Sequence, residues 1–122
     1  MKLVSGIDQV EIKRFEEVLN KNTDRFIQRI YTPREISDVK GNTASLAARF
    51  AAKEAAAKAL GTGIGAISWQ EIEIVRNEAH QPALVLYGNA ARLAEMTGIT
   101  VWSVSLSHTA TYAVAIVIGL GE

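Results

Sequence analysis

The chain has 122 residues, 13 Lys plus Arg against 13 Asp plus Glu for a formal net charge of zero, 48% hydrophobic residues and no cysteine. That length suits one domain, 1–122, able to bury roughly two thirds of its accessible surface in a modest core. The charge balance argues against a nucleic-acid binder of the basic-patch type, and the cysteine count removes disulfides, thiolate zinc sites and a cysteine nucleophile. No apolar run reaches the length of a membrane span, and Met1-Lys2 leads straight into strand-like sequence. The expectation is a soluble, cytoplasmic protein that engages neither membrane nor nucleic acid.

Leu3 to Asp8 predicts a short strand closed by a carboxylate. Asp8 either caps the helix that follows or serves as a metal ligand, which needs a second carboxylate from elsewhere in the chain, with Glu54 the leading candidate. Ile12, Phe15, Val18 and Leu19 have helical spacing, and the other faces of that helix carry Lys13, Arg14 and Lys21. With Arg25 these could form a local basic surface for an acidic partner. Asp24 to Tyr31 predicts a short helix, and Thr32-Pro33-Arg34-Glu35 a capping box with proline at the first helical position, opening a helix to about Lys40.

Ala44 to Leu60 contains no Gly, Pro or β-branched residue and is rich in alanine, so it predicts the strongest helix, begun by Thr43 or Ser45 and ended at Gly61. Leu46, Phe50, Ala57 and Leu60 make its apolar face, with Glu54 on the flank and Lys58 beside it at i+4. Arg49 and Lys53, also at i+4, gain little from each other and suggest an anion. The loop Gly61-Thr62-Gly63-Ile64-Gly65 could wrap a phosphate through its amides, although it lies at the end of the helix where the dipole is wrong for anions.

Glu71 to Arg76 alternates polar and apolar, predicting a strand with one wet face, paired through a turn at Asn77 to Pro82 with Ala83 to Tyr87. His80 reads as an exposed turn residue. Asn89 to Thr97 predicts a helix burying Leu93 and Met96. Thr100 to Ser107 alternates as a strand, and Tyr112 to Ile118 is apolar enough for a strand covered on both faces. Between them, Ser107-His108-Thr109 is either a structural turn or a set of donors for a phosphate or hydroxyl. The whole is an α+β fold, a small antiparallel sheet packed with helices.

Two stretches carry a resemblance. Gly6-Ile7-Asp8 and Phe50-Ala51-Ala52-Lys53-Glu54-Ala55-Ala56-Ala57-Lys58 are similar to the paired motifs of the bacterial holo-acyl carrier protein synthase family of 4′-phosphopantetheinyl transferases. Arg49, Gly61-Thr62-Gly63-Ile64, Pro82 and Ser107-His108-Thr109 look like the same family, so the likeness covers essentially the whole chain. The resemblance implies transfer of the phosphopantetheine arm of coenzyme A to a serine of apo acyl carrier protein, with release of adenosine 3′,5′-bisphosphate, in fatty acid biosynthesis. It further implies Mg²⁺ on Asp8 and Glu54 and Lys58 at the leaving phosphate. Arg49 would bind the 3′-phosphate of coenzyme A with Lys53 as a second cation, Gly61, Pro82, His108 and Thr109 would lie near the nucleotide, and the serine proton would go to Glu54 or a metal-bound water. Lys13, Arg14, Lys21 and Arg25 would face the carrier protein, and the short chain implies a homotrimer with sites between subunits. An arginine ahead of the central helix, present in some relatives, has only Lys40 near its place. The competing reading is a coenzyme A or nucleotide binding module of the same fold without catalysis.

Overall fold

The computed structural model describes all 122 residues. Its elements run β1 (Lys2–Glu11), α1 (Ile12–Lys21), α2 (Thr23–Ile30), α3 (Pro33–Val39), α4 (Thr43–Ala59), a 3₁₀ turn at Trp69–Glu71, β2 (Ile72–Arg76), β3 (Pro82–Leu86), α5 (Gly88–Thr97), β4 (Ile99–His108) and β5 (Tyr112–Gly121). This is the expected α+β order. An antiparallel sheet is ordered β1-β5-β4, and β2 and β3 form a separate hairpin.

The register of the larger sheet separates two faces. Val4, Gly6, Asp8 and Val10 share one with Ala113, Ala115 and Val117 of β5, while Leu3, Ile7, Ile116, Ile118, Leu120 and Val101 share the other. α4 packs on the first face. The approach is close because the residues in contact are small: a Cβ on Gly6 would stand 1.9 Å from the Ala55 carbonyl oxygen. The second face is not covered by the chain itself, so β5 alternates buried and exposed residues, and Ile116 and Ile118 are each 39% exposed. This corrects the expectation of a strand covered on both sides.

β1 also runs further than expected, to Glu11, and Asp8 lies inside it opposite Ala115. The capping reading of Asp8 therefore fails: the residue before α1 is Glu11, whose side chain caps nothing. At α4 the cap is Asn42, whose Oδ1 accepts from the Ser45 amide, rather than Thr43 or Ser45. α4 is enclosed nearly all round, because its alanines let neighbours approach from several sides. Arg49 and Lys53 are buried with them. On α1, Phe15 and Leu19 are inward but Val18 is 46% exposed. On α5, Ala90 and Ala94 take the buried places assigned to Leu93 and Met96, the latter being 77% exposed.

β2 also differs from its pattern. Ile72 through Val75 are all buried, so Glu73, expected on a wet face, sits inside, where it accepts from the Thr32 hydroxyl at 2.6 Å and the Tyr87 hydroxyl at 2.8 Å. Beside it lies a buried ion pair. Lys53 Nζ stands 2.7 Å from Glu35 Oε1, neither side chain being exposed, and also donates to the carbonyls of Trp69 and Ile72. Glu35 is the acid of the expected capping box. Its Oε1 takes the Thr32 amide and its Oε2 the Ile74 amide, each at 3.0 Å, so one carboxylate ties α3 to α4 and β2. No buried side-chain donor or acceptor in the chain lacks a partner.

Two stability outcomes follow from these contacts. Gly6→Ala is expected to cost about 3 kcal/mol or more in chemical denaturation, since a backbone oxygen cannot swing aside as a side chain could. Lys53→Met leaves Glu35 buried without its cation and is expected to cost about 3–5 kcal/mol, whereas the double variant with Glu35→Gln should lose less than the two single losses summed.

Candidate active site

The close contact of Gly6 with Ala55 fixes how β1 lies along α4. Two residues beyond Gly6 on the same face is Asp8, and one residue before Ala55 is Glu54. Both line a groove of about 510 Å³ with Glu11, Arg14, Phe50 and Tyr112. Phe15, Phe26 and Phe50 also line it, Phe15 edge-on to Phe26, while Phe50 stacks on Phe26 and, with ring centres 4.8 Å apart, on Trp69.

Lys58 takes a different partner from the one its helical spacing suggests. Its Nζ lies 3.0 Å from Asp8 Oδ1 and donates to the Ile7 carbonyl, and its ion pair is with Asp8 rather than Glu54. Glu54 is left half-buried with no ion pair. Partial burial, reinforced by the Asp8 charge and opposed by Lys58, raises its pKa above the ordinary carboxylate value. Asp8 and Glu54 thus share one groove with Glu11 also on its wall, and the half-exposed Lys58 ammonium is held on Asp8. No group of three His, Cys, Asp or Glu side chains converges anywhere in the chain. Two carboxylates with open positions suit Mg²⁺, which prefers one or two protein carboxylates completed by substrate phosphates and water.

A second pocket, of about 250 Å³, opens on the other side of α4, lined by Ser45, Arg49, Arg76, His80, Pro82 and His108 among others. At ~100° per residue, Arg49 stands about 140° round the helix from Glu54 and about 180° from Lys58. Arg49 Nη1 also donates to the Glu35 carbonyl at 3.3 Å, and burial lowers its pKa although the Glu35 charge opposes that.

Of the residues expected at a ligand, Asp8 and Glu54 line the first groove with Lys58 bonded to Asp8, and Arg49, Pro82 and His108 meet at the second. Lys53 reaches neither. Its ammonium is spent on Glu35 and two carbonyls, and burial lowers its pKa. Gly61 adopts φ +82° and closes α4: the amides of Gly61, Thr62 and Gly63 donate to the carbonyls of Lys58 and Ala57, so this loop has no free amide nest for phosphate. Thr109 closes the β4–β5 turn, its hydroxyl oxygen accepting from the Thr111 and Tyr112 amides. Lys13, Arg14, Lys21 and Arg25 are all exposed, and Arg14 also borders the first groove. Arg76 and His80 were not anticipated at a site. They belong to a hairpin whose strand pattern gives no hint of the pocket that its edge completes.

Residues 5–117 match the family model of the 4′-phosphopantetheinyl transferase superfamily. A holo-[acyl-carrier-protein] synthase of Herpetosiphon aurantiacus is 43% identical, over 98% of this chain and 99% of that protein. Among solved structures, the Helicobacter pylori holo-[acyl-carrier-protein] synthase in complex with coenzyme A aligns with TM-score 0.87 and 34% identity, over 95% of this chain and 99% of that one. The Bacillus anthracis holo-(acyl-carrier-protein) synthase in complex with CoA (3′,5′-ADP) aligns with TM-score 0.79 and 34% identity, over 98% and 96%. With the two motifs brought into one groove and the likeness running nearly end to end, the chain belongs to the holo-acyl carrier protein synthase family of 4′-phosphopantetheinyl transferases.

Proposed function

We propose that this protein transfers the 4′-phosphopantetheine arm of coenzyme A to a serine hydroxyl of apo acyl carrier protein, with Mg²⁺, in the cytoplasm and in the service of fatty acid biosynthesis. The observation that carries this reading is the placement of Asp8 and Glu54 in one groove with Lys58 ion-paired to Asp8, a combination that binding alone does not require. The serine oxygen bonds to the phosphorus at the pantetheine end of the diphosphate. The anhydride bond to the adenosine 5′-phosphate breaks, and adenosine 3′,5′-bisphosphate leaves.

Asp8 and Glu54 would hold Mg²⁺, which neutralises diphosphate charge when bound. Lys58, whose side chain is 53% exposed, is free to move from Asp8 to the leaving phosphate and donate to it. Glu54, half-buried and without an ion-pair partner, is placed to accept the serine proton. Phe15, Phe26 and Phe50 give the groove an apolar wall against which water is excluded. Arg14 on the groove edge, with Lys13, Lys21 and Arg25 nearby, suits an acidic carrier protein arriving with its serine toward Asp8.

The proposed assembly is a homotrimer with sites between subunits. Two features support it: the exposed apolar sheet face around Leu3, Ile7, Ile116, Ile118 and Leu120, and the placement of the Arg49 pocket on the opposite flank of α4 from Lys58. One chain cannot bring both flanks to a single substrate, whereas a neighbour's flank can complete the groove.

Intact-mass analysis of apo acyl carrier protein incubated with this protein and coenzyme A tests the reaction. A gain of one phosphopantetheine is expected with Mg²⁺ and not with EDTA, and Asp8→Asn should fold normally yet lose about 100-fold or more in rate. No gain with coenzyme A still bound would favour the non-catalytic binding module. In the same assay, added salt should raise the carrier-protein KM, and sedimentation should give three times the 13.2 kDa chain mass; a salt-independent KM or a stable, active monomer would remove those two parts of the reading.

A further inference from the structure

The chain makes two side-chain ion pairs, and both use lysines of α4. They differ in how firmly the lysine is held. Lys53 Nζ is enclosed by Glu35 and two carbonyls, with neither side chain of the pair exposed, so its place in the fold is permanent. Lys58 Nζ reaches only Asp8 Oδ1 and the Ile7 carbonyl, each at 3.0 Å, and its side chain is 53% exposed against 18% for Asp8. An ammonium this open to solvent exchanges partners readily, because water compensates it when it leaves.

The choice of partner is a separate observation. Glu54, four residues before Lys58 on the same helix, is the carboxylate that helical spacing offers, yet the ammonium crosses to Asp8 on β1. Arg14, the cation that lines the groove with both carboxylates, pairs with neither. One of the two carboxylates suited to Mg²⁺ is thereby open, and the other is covered by a positive charge. A divalent ion and an ammonium cannot both draw on Asp8 at full strength, since each offsets the negative charge that attracts the other and the two repel. Mg²⁺ sheds its water reluctantly, so a carboxylate already half-neutralised binds it less well.

We propose that Lys58 is a tethered counter-ion that competes with the divalent metal for Asp8, so that the metal and the substrate diphosphate bind cooperatively. The inference rests on the transferase reading above. An arriving diphosphate offers the Lys58 ammonium more negative charge than one carboxylate does. The ammonium moves to it, and Asp8 recovers its full charge for the metal. Until then, metal affinity is reduced by the fraction of time that Lys58 holds Asp8. Linkage requires the converse as well: metal on Asp8 releases Lys58 and so strengthens diphosphate binding.

The test follows Mn²⁺ binding to full-length protein by electron paramagnetic resonance of the free ion, with Mg²⁺ as competitor, for wild type, Lys58→Met and Arg14→Gln. Without substrate, Lys58→Met should bind the metal about fivefold tighter than wild type, a gain that a misfolded site could not produce. Arg14→Gln, which removes a groove cation paired with neither carboxylate, should match wild type. Saturating coenzyme A should then raise metal affinity about fivefold less in Lys58→Met than in wild type. Unchanged or weaker metal binding by substrate-free Lys58→Met would overturn the proposal, since Lys58 would then brace Asp8 or share it with the metal. So would an equal gain in Arg14→Gln, the mark of general charge repulsion, or an undiminished effect of coenzyme A. Wild type that binds metal but no coenzyme A would bring down the transferase reading and the cooperativity with it, while the substrate-free comparison still decides whether Lys58 competes for Asp8.

Discussion

The contact between Gly6 of β1 and the backbone of Ala55 in α4 governs the placement of everything chemical in this chain. A strand and a helix can pack in many registers when bulky side chains keep them apart, since such side chains have rotamers to adjust. Here the two backbones touch, and the permitted offsets shrink to the one in which a missing Cβ faces a carbonyl oxygen. Asp8 follows Gly6 on that face and Glu54 precedes Ala55, so the same contact that closes the core brings the two carboxylates into one groove. Stability and site geometry are therefore coupled at a single glycine.

The two basic residues of the central helix illustrate how burial divides similar side chains between structure and chemistry. Arg49 and Lys53 are one turn apart and both are enclosed, but they end differently. Lys53 is the more compact cation and is fully used by Glu35 and two carbonyls, which lets α3, α4 and β2 meet around a charge without leaving any donor unsatisfied. Arg49, with a planar fork of five donors, gives one bond to the Glu35 carbonyl and still borders a pocket. A motif lysine beside a motif glutamate thus need not share its task.

Much of the fold was legible from local chemistry. Proline and a capping box placed α3, an alanine-rich run without breakers placed α4, and glycine marked the ends of α4 and α5 at Gly61 and Gly98. Where the pattern misled, packing from outside the segment was the cause. Glu73 alternates like a residue facing water, yet α3 covers that side of β2 and supplies Thr32 as its donor. Val18 and Met96 sit at helical spacing for a core but face outward, because Phe15 and Leu19 take the inward side of α1 and Ala90 and Ala94 that of α5.

The sequence by itself determined the kinds of element, their order, the family and the Asp8 and Glu54 carboxylates of the groove, because capping, propensity and short motifs act over a few residues along the chain. Tertiary structure alone decided the partners: Lys58 with Asp8 rather than Glu54, Lys53 with Glu35 rather than a ligand, and Arg76 and His80 on the wall of the Arg49 pocket. Such choices depend on distances between residues far apart in the chain. Those distances are set by how closely backbones can approach, which no local pattern encodes.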